Sequence, residues 1–185
     1  LHLQTPRSTR LRFLAGQSVT LSAAAAGIEA HATYAVASCP CDERNLHFHI
    51  RRDDGDAFAR LLFDGALATG SAVNLAGPIG EFVFLESERR LAFLACDTGF
   101  APIKSLIEHA LALDAAPSMS LFWLATRSDG HFMANQCRAW SEALDSFEVA
   151  LSTHASAAVG AHQIARAMRA DLFDIECDFY LAGPP

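Results

Sequence analysis

The stretch LACDTGFAPIKS, Leu94 to Ser105, joins an apolar run to a patterned helix through a short Thr-Gly turn. Pro102 stands near the first helical turn, where its missing N–H does no harm. A glycine lets the chain approach a ligand closely, and the amino end of a helix supplies amide donors and positive dipole, so this is how a phosphate-binding strand, turn and helix begins. Asp97 stands where a phosphate would come close. The bland reading of Asp97 is a helix cap, and a capping carboxylate and a bound pyrophosphate would compete for the same amides.

Downstream, the same grammar repeats. RLAFLAC (90–96), SMSLFWLAT (118–126), FEVALS (147–152) and CDFYLAG (177–183) are apolar strand-like runs. Between them lie the helical patterns FAPIKSLIEHALAL (100–113), NQCRAWSEAL (135–144) and AHQIARAMRADLF (161–173). In the first helix Ile103, Leu106, Ile107, Ala110 and Leu111 follow the 3.6-residue period up to the polar stop at Asp114. Alternating strands and helices predict a parallel sheet covered on both faces, with any ligand at the carboxyl ends of its strands.

Upstream the pattern differs. LRFLAGQSVTL (11–21), HATYAVAS (31–38), NLHFHIRR (45–52), SAVNLAG (71–77) and EFVFLE (81–86) are short strand-like runs separated by turn residues. One helical candidate, DAFARLLFDGAL, places Phe58, Leu61, Leu62 and Leu67 on or near one face. A small antiparallel barrel or sandwich with one helix is expected over residues 1–86, and an α/β domain over 87–185, with the boundary near Ser87–Arg90.

Composition narrows the function classes. The 185 residues are 51% hydrophobic, enough for a real core, and the net charge of −7 offers no basic block to neutralise nucleic acid or an anionic membrane. Charged or polar residues interrupt every apolar run before it reaches the length of a membrane span. Five cysteines fit a reducing, cytoplasmic compartment better than a disulfide framework, with Cys39 and Cys41 read as turn thiols beside Pro40. No zinc or iron–sulfur ligand set is visible, and His47 and His49 are spaced for one strand face rather than for a metal.

Six segments, in order, resemble motifs of the ferredoxin–NADP reductase family, which includes reductase components of oxygenases. FLAGQSVTL (13–21) is similar to its F-x-P-G-Q-Y strand and turn, and TYAVAS (33–38) to the end of its flavin motif R-x-Y-S-x-A-S. HIRRDDGDAFA (49–59) resembles the strand and glycine turn that meet the flavin phosphate, and GPIGEF (77–82) the turn that closes the barrel. DTGFAPIKS is similar to the pyrophosphate turn G-G-T-G-x-A-P, and YLAGPP (180–185) to the C-G-P-P turn beside the nicotinamide. The resemblance implies a flavin-binding antiparallel barrel followed by an NAD(P)-binding α/β domain. It also implies a further strand before Leu1, and a helix and strand after Pro185.

By the same resemblance, FAD or FMN would contact Tyr34, Ala35, Val36, His49, Ile50, Arg51, Gly55, Ala57, Phe58 and Ala59. NAD(P)H would contact Asp97, Thr98, Gly99, Pro102, Arg127, Gly183 and Pro184, with Tyr34 and Ala182 nearest the redox chemistry. Several positions depart from the family pattern. Ala32 and Ala35 replace its arginine and serine, Ala59 a hydroxyl, Cys96 and Asp97 two glycines, and Ala182 a cysteine. The function implied is passage of electrons from NAD(P)H through flavin to an iron–sulfur domain or oxygenase component, in the same full-length chain or another. The alternative is a reductase-like scaffold that has lost flavin or nucleotide and serves as a binding or regulatory domain.

Overall fold

The computed structural model describes residues 1–42, 44–171 and 176–183. It divides into two compact units, Leu1–Phe84 with Lys104–His109, and Leu85–Ile103 with Ala110–Pro185.

The first unit is antiparallel. Strands β1 (His2–Gln4), β2 (Ser18–Ala25), β3 (Ile28–Ala35), β4 (Asn45–His47) and β5 (Asn74–Ile79) accompany one helix, α1 (Ala57–Phe63). They form a β3-β2-β5 sheet and a β1-β4 pair. The two are stitched where the chain leaves β3, because the Ala37 amide donates to the His47 carbonyl at 2.8 Å. Strands β2 and β3 make one long hairpin whose turn, Ala26-Gly27, has positive φ at both residues, as a twisted two-residue hairpin requires. Alternation sends Val19, Leu21 and Ala23 inward, onto a core with Leu46, Phe48, Phe58 and Leu61.

Two expectations are corrected here. EFVFLE is not a strand; the Phe84 amide donates to the Ala15 carbonyl at 3.3 Å, but no ladder forms along the segment. GPIGEF is not wholly a turn either, since Gly77–Ile79 extend β5 against β2 and the chain bends from Gly80.

The second unit follows the predicted alternation closely. Strands β6 (Arg90–Cys96), β7 (Met119–Ala125), β8 (Phe147–Thr153) and β9 (Cys177–Ala182) are interleaved with α2 (Phe100–Leu113), α3 (Ala134–Ala143) and α4 (Ala157–Asp171). All pairings are parallel, in the order β8-β7-β6-β9. Every residue of β7 is buried, as both faces of a covered sheet demand. Phe122 and Leu124 pack with Ile164 of α4, while Trp123 on the other face stacks on Phe100 at 3.9 Å. The chain leaves β6 toward β7 on one side and returns to β9 on the other. That reversal opens a crevice at the carboxyl ends of β6 and β9, where Asp97–Gly99 and Gly183 lie.

Candidate functional site

In the second unit, Asp97–Gly99 form a single 3-10 turn between β6 and α2. Gly99 is indispensable sterically. A methyl group built on it would overlap the Ala182 carbonyl and come within 2.6 Å of the Gly183 Cα, so only glycine lets the turn lie against the end of β9. Gly183 is close-packed from the other side, 3.3 Å from the Cys96 Cβ. Pro102 sits in the first turn of α2, and Gly99 as its N-cap offers no side chain to the leading amides. Pro184 lies outside the described residues.

The capping role expected of Asp97 is corrected. Its side chain makes no bond to α2; one oxygen accepts from the Thr126 amide at 2.8 Å and the other from the Thr126 hydroxyl at 2.6 Å. The reason is backbone conformation: φ of +48° turns the carboxylate inward, toward the end of β7. Its carbonyl accepts from the Trp123 indole at 3.1 Å, so Asp97 ties two strand ends together. Gly130 is part of the same knot, because a Cβ there would meet Ala125 at 2.6 Å and the Asp97 carboxylate at 3.3 Å. The amides at the head of α2 are therefore left without a side-chain cap, which fits a nucleotide pyrophosphate. Arg127 follows directly, fully exposed, its guanidinium held in a fork by Asp129 at 2.9 and 3.1 Å. The paired carboxylate raises its pKa further above the usual arginine value.

In the first unit, Tyr34 lies on β3 beside Phe58, with ring centroids 5.8 Å apart, and its hydroxyl donates to Asp56. Burial first, then the Asp56 bond, holds that hydroxyl well above the usual tyrosine pKa. Asp56 is the N-cap of α1: its other oxygen accepts from the Ala59 amide at 2.9 Å. The expectation that Ala59 contacts the flavin is corrected for its amide, because a neighbouring carboxylate already takes it. The side chains of Phe58 and Ala59 are buried, and Ala57 packs against the core. Asp53 accepts from the Gly55 amide at 2.8 Å, Arg52 pairs with Asp64 at 3.0 Å, and Arg51 is exposed. Val36 is fully buried and its amide donates to Gln17, whereas the small Ala35 places no bulk at the strand end. Ile50 packs on the core, and burial depresses the His49 imidazole to about 3.

Sequence reading missed Asp56, Thr126, Lys104 and Ser105. Lys104, buried, donates to the Ala37 carbonyl at 3.1 Å and to Glu108 at 2.6 Å, and Ser105 donates to the Ser38 carbonyl at 2.7 Å. The bonds to the Ala37 and Ser38 carbonyls fix the segment just after Tyr34. A lysine and serine on the apolar face of α2 were the available signal. The turn-thiol reading of Cys39 and Cys41 is also corrected: the Pro40 turn brings their Cα atoms within 5.1 Å and a disulfide joins them.

Residues 1–84 match the family model of the oxidoreductase FAD-binding domain. The chain is 32% identical over 146 residues to Protein RfbI of Salmonella typhimurium, covering 78% of this chain and 42% of that protein. It is 31% identical over 91 residues to the xylene/toluene monooxygenase electron transfer component of Pseudomonas putida, covering 49% of this chain and 26% of that one. It thus spans less than half the length of these relatives. A ferredoxin NADP+ reductase from Neisseria gonorrhoeae, solved with bound FAD and NADP, superposes with a TM-score of 0.77 at 20% identity, covering all of this chain and 78% of the other. Residues 1–84 thus belong to the oxidoreductase FAD-binding domain family, and the chain as a whole shares the fold of ferredoxin–NADP reductases.

Proposed function

We propose that the chain is the flavin and nicotinamide-nucleotide core of an NAD(P)H-dependent reductase that passes electrons to an iron–sulfur or oxygenase partner. The observation that carries this reading is the turn at Asp97–Gly99: it lies at the switch point of the parallel sheet, with Asp97 turned away and the head of α2 uncapped. The FAD-binding family match of the first half supports the flavin. Bound flavin would accept a hydride from the nicotinamide and release electrons singly.

The residues divide the work. Tyr34, Ala35 and Val36 would border the flavin ring, with Lys104 and Ser105 fixing the carbonyls that follow them. His49, Ile50, Arg51, Gly55, Ala57 and Phe58 would line the side toward the flavin phosphate, with Arg51 an exposed cation there. Thr98, Gly99 and Pro102 would hold the nucleotide pyrophosphate, Arg127 its ribose, and Ala182, Gly183 and Pro184 would lie beside the nicotinamide. Residues 1–86 and 87–185 are the working domains in this reading. The acceptor is a separate oxygenase or iron–sulfur protein, or a domain of the same full-length chain, in the cytoplasm. Among the described residues no helix is long and apolar enough to cross a membrane.

The test is optical. The purified chain is titrated with FAD and with FMN, then mixed anaerobically with NADH or NADPH. Bound flavin that bleaches on nucleotide addition is the expected result. A chain that binds neither flavin would overturn the reading and return the scaffold alternative.

A further inference from the structure

The loop that follows β7 carries a guanidinium and sets a carboxylate against it. Arg127 donates from Nε to one oxygen of Asp129 at 2.9 Å and from Nη2 to the other at 3.1 Å, so both oxygens are engaged. Both side chains stand in solvent. The residue before them keeps the pair close to the turn at Asp97–Gly99, because Thr126 donates its amide and its hydroxyl to Asp97. At the other end the Gly130 amide donates to the Arg127 carbonyl at 3.1 Å, and Gly130 has no room for a Cβ beside Ala125. The short loop is thus pinned on both sides. The ion pair is felt by each partner: Asp129 first, and Asp97 more weakly, raise the Arg127 pKa, while Arg127 lowers that of Asp129 and keeps it ionised.

We propose that Asp129 is a specificity-determining residue that makes the chain prefer NADH to NADPH. The two nucleotides differ at the 2′ position of the adenosine ribose, a hydroxyl in one and a phosphate of about −1.5 to −2 charge in the other. A carboxylate accepts a hydrogen bond from the hydroxyl, whereas a guanidinium accommodates the phosphate. Here the guanidinium is already taken. Its outward N–H groups can still donate, but the carboxylate behind them cancels the charge that would draw a phosphate. A phosphate that entered the fork would have to displace Asp129 and then stand beside it, like charge against like. Ser128, exposed between the two, can donate to a hydroxyl or to a phosphate and does not discriminate. The selectivity thus comes from a repulsive element as much as from an attractive one.

Because this preference rests on the reductase reading, one titration series has to separate the two. The oxidised full chain, supplied with FAD, is titrated calorimetrically at low salt with NAD+ and with NADP+, as wild type, Asp129→Asn and Asp129→Glu. Wild type is expected to bind NAD+ roughly tenfold more tightly, a modest ratio because the loop is exposed and salt screens it. Asp129→Asn removes the charge and should lower that ratio at least about threefold, while Asp129→Glu keeps the charge and should hold it. A change that merely loosened the loop would weaken both nucleotides together and leave the ratio where it was. Since the Asp129 side chain is exposed, replacing it leaves the packed core untouched. Binding of neither nucleotide would overturn the nucleotide site and the preference with it. Binding of NAD+ with NADP+ equal or tighter would overturn the preference alone, as would a ratio that Asp129→Asn does not move, or one that Asp129→Glu lowers as far as Asp129→Asn does.

Discussion

Each unit carries an aspartate beside a glycine turn that leads into a helix, and the two aspartates do opposite things. Asp56 precedes α1 in extended backbone, caps it through Ala59 and takes the Tyr34 hydroxyl. Asp97, with φ of +48°, turns its carboxylate away from α2 and into Thr126. One helix head is closed by its own carboxylate and the other has no side-chain cap. Residue type next to a helix therefore does not decide whether an anion can bind there; the sign of φ does, because it sets which way the side chain leaves the chain.

The glycines offer the sharpest contrast. Gly99→Ala forces a methyl group into the Ala182 carbonyl and Gly183 backbone, which has no flexible end to move aside. We expect a loss of about 3 kcal/mol, near the upper range for overpacking. In a chain of this length that corresponds to a melting temperature lower by about 10 °C. Gly55→Ala meets only the movable Asp53 carboxylate, at 3.3 Å, and should change stability by less than about 0.5 kcal/mol. Melting curves of the two variants check this, and equal shifts would show that the two turns are equally packed.

Next come the aspartates themselves. Asp97→Ala leaves the Thr126 amide without its acceptor and should cost about 2 kcal/mol, whereas Asp56→Ala loses the α1 cap and the acceptor of the Tyr34 hydroxyl, about 1 kcal/mol each. The affinity for NAD(P)H is expected not to rise in Asp97→Ala, since its carboxylate already points into the protein. Denaturant titrations paired with nucleotide titrations read both quantities. A tighter-binding Asp97→Ala would mean that its charge still opposes the pyrophosphate.

The second unit was the more legible in sequence because a 3.6-residue period survives in every helix and mostly apolar runs mark every strand. α2 was predicted at 100–113 and found at Phe100–Leu113. In the first unit short strands carry little pattern, so half of the β2–β3 hairpin, SAAA and IEA, escaped notice because alanines say nothing about a face. The glycine turn at Gly99 was visible from composition alone. Asp97 was not, because its role depends on Thr126, 29 residues away, through a bond that no local spacing encodes. Lys104 escaped for a related reason: a lysine amid apolar helix positions reads as an exposed interruption, yet its ammonium is buried against the Ala37 carbonyl.

The smallest effect separates Asp56's two duties. Tyr34→Phe keeps the cap on Ala59 and removes only the hydroxyl bond, so it should cost about 1 kcal/mol at neutral pH. The hydroxyl also sets a pH dependence. Its folded pKa is raised above the usual value of 10.0, first by burial and then by Asp56, so the native state resists losing this proton. The stability it contributes is complete below pH 10 and declines as pH rises beyond that, toward the folded value. Tyr34 is only half-buried, and solvent screening keeps the decline well below the roughly 1.4 kcal/mol per pH unit of a fully linked proton. Tyr180, the other tyrosine in the chain, contributes equally to both proteins and cancels in the comparison. Denaturant unfolding at pH 8 and pH 11 should therefore show wild type losing more stability than Tyr34→Phe, so that the gap between them narrows at the higher pH. A gap that stays constant would mean that the Tyr34 hydroxyl ionises as easily in the folded chain as in the unfolded one, and that its bond to Asp56 contributes nothing to the difference between the two helix heads.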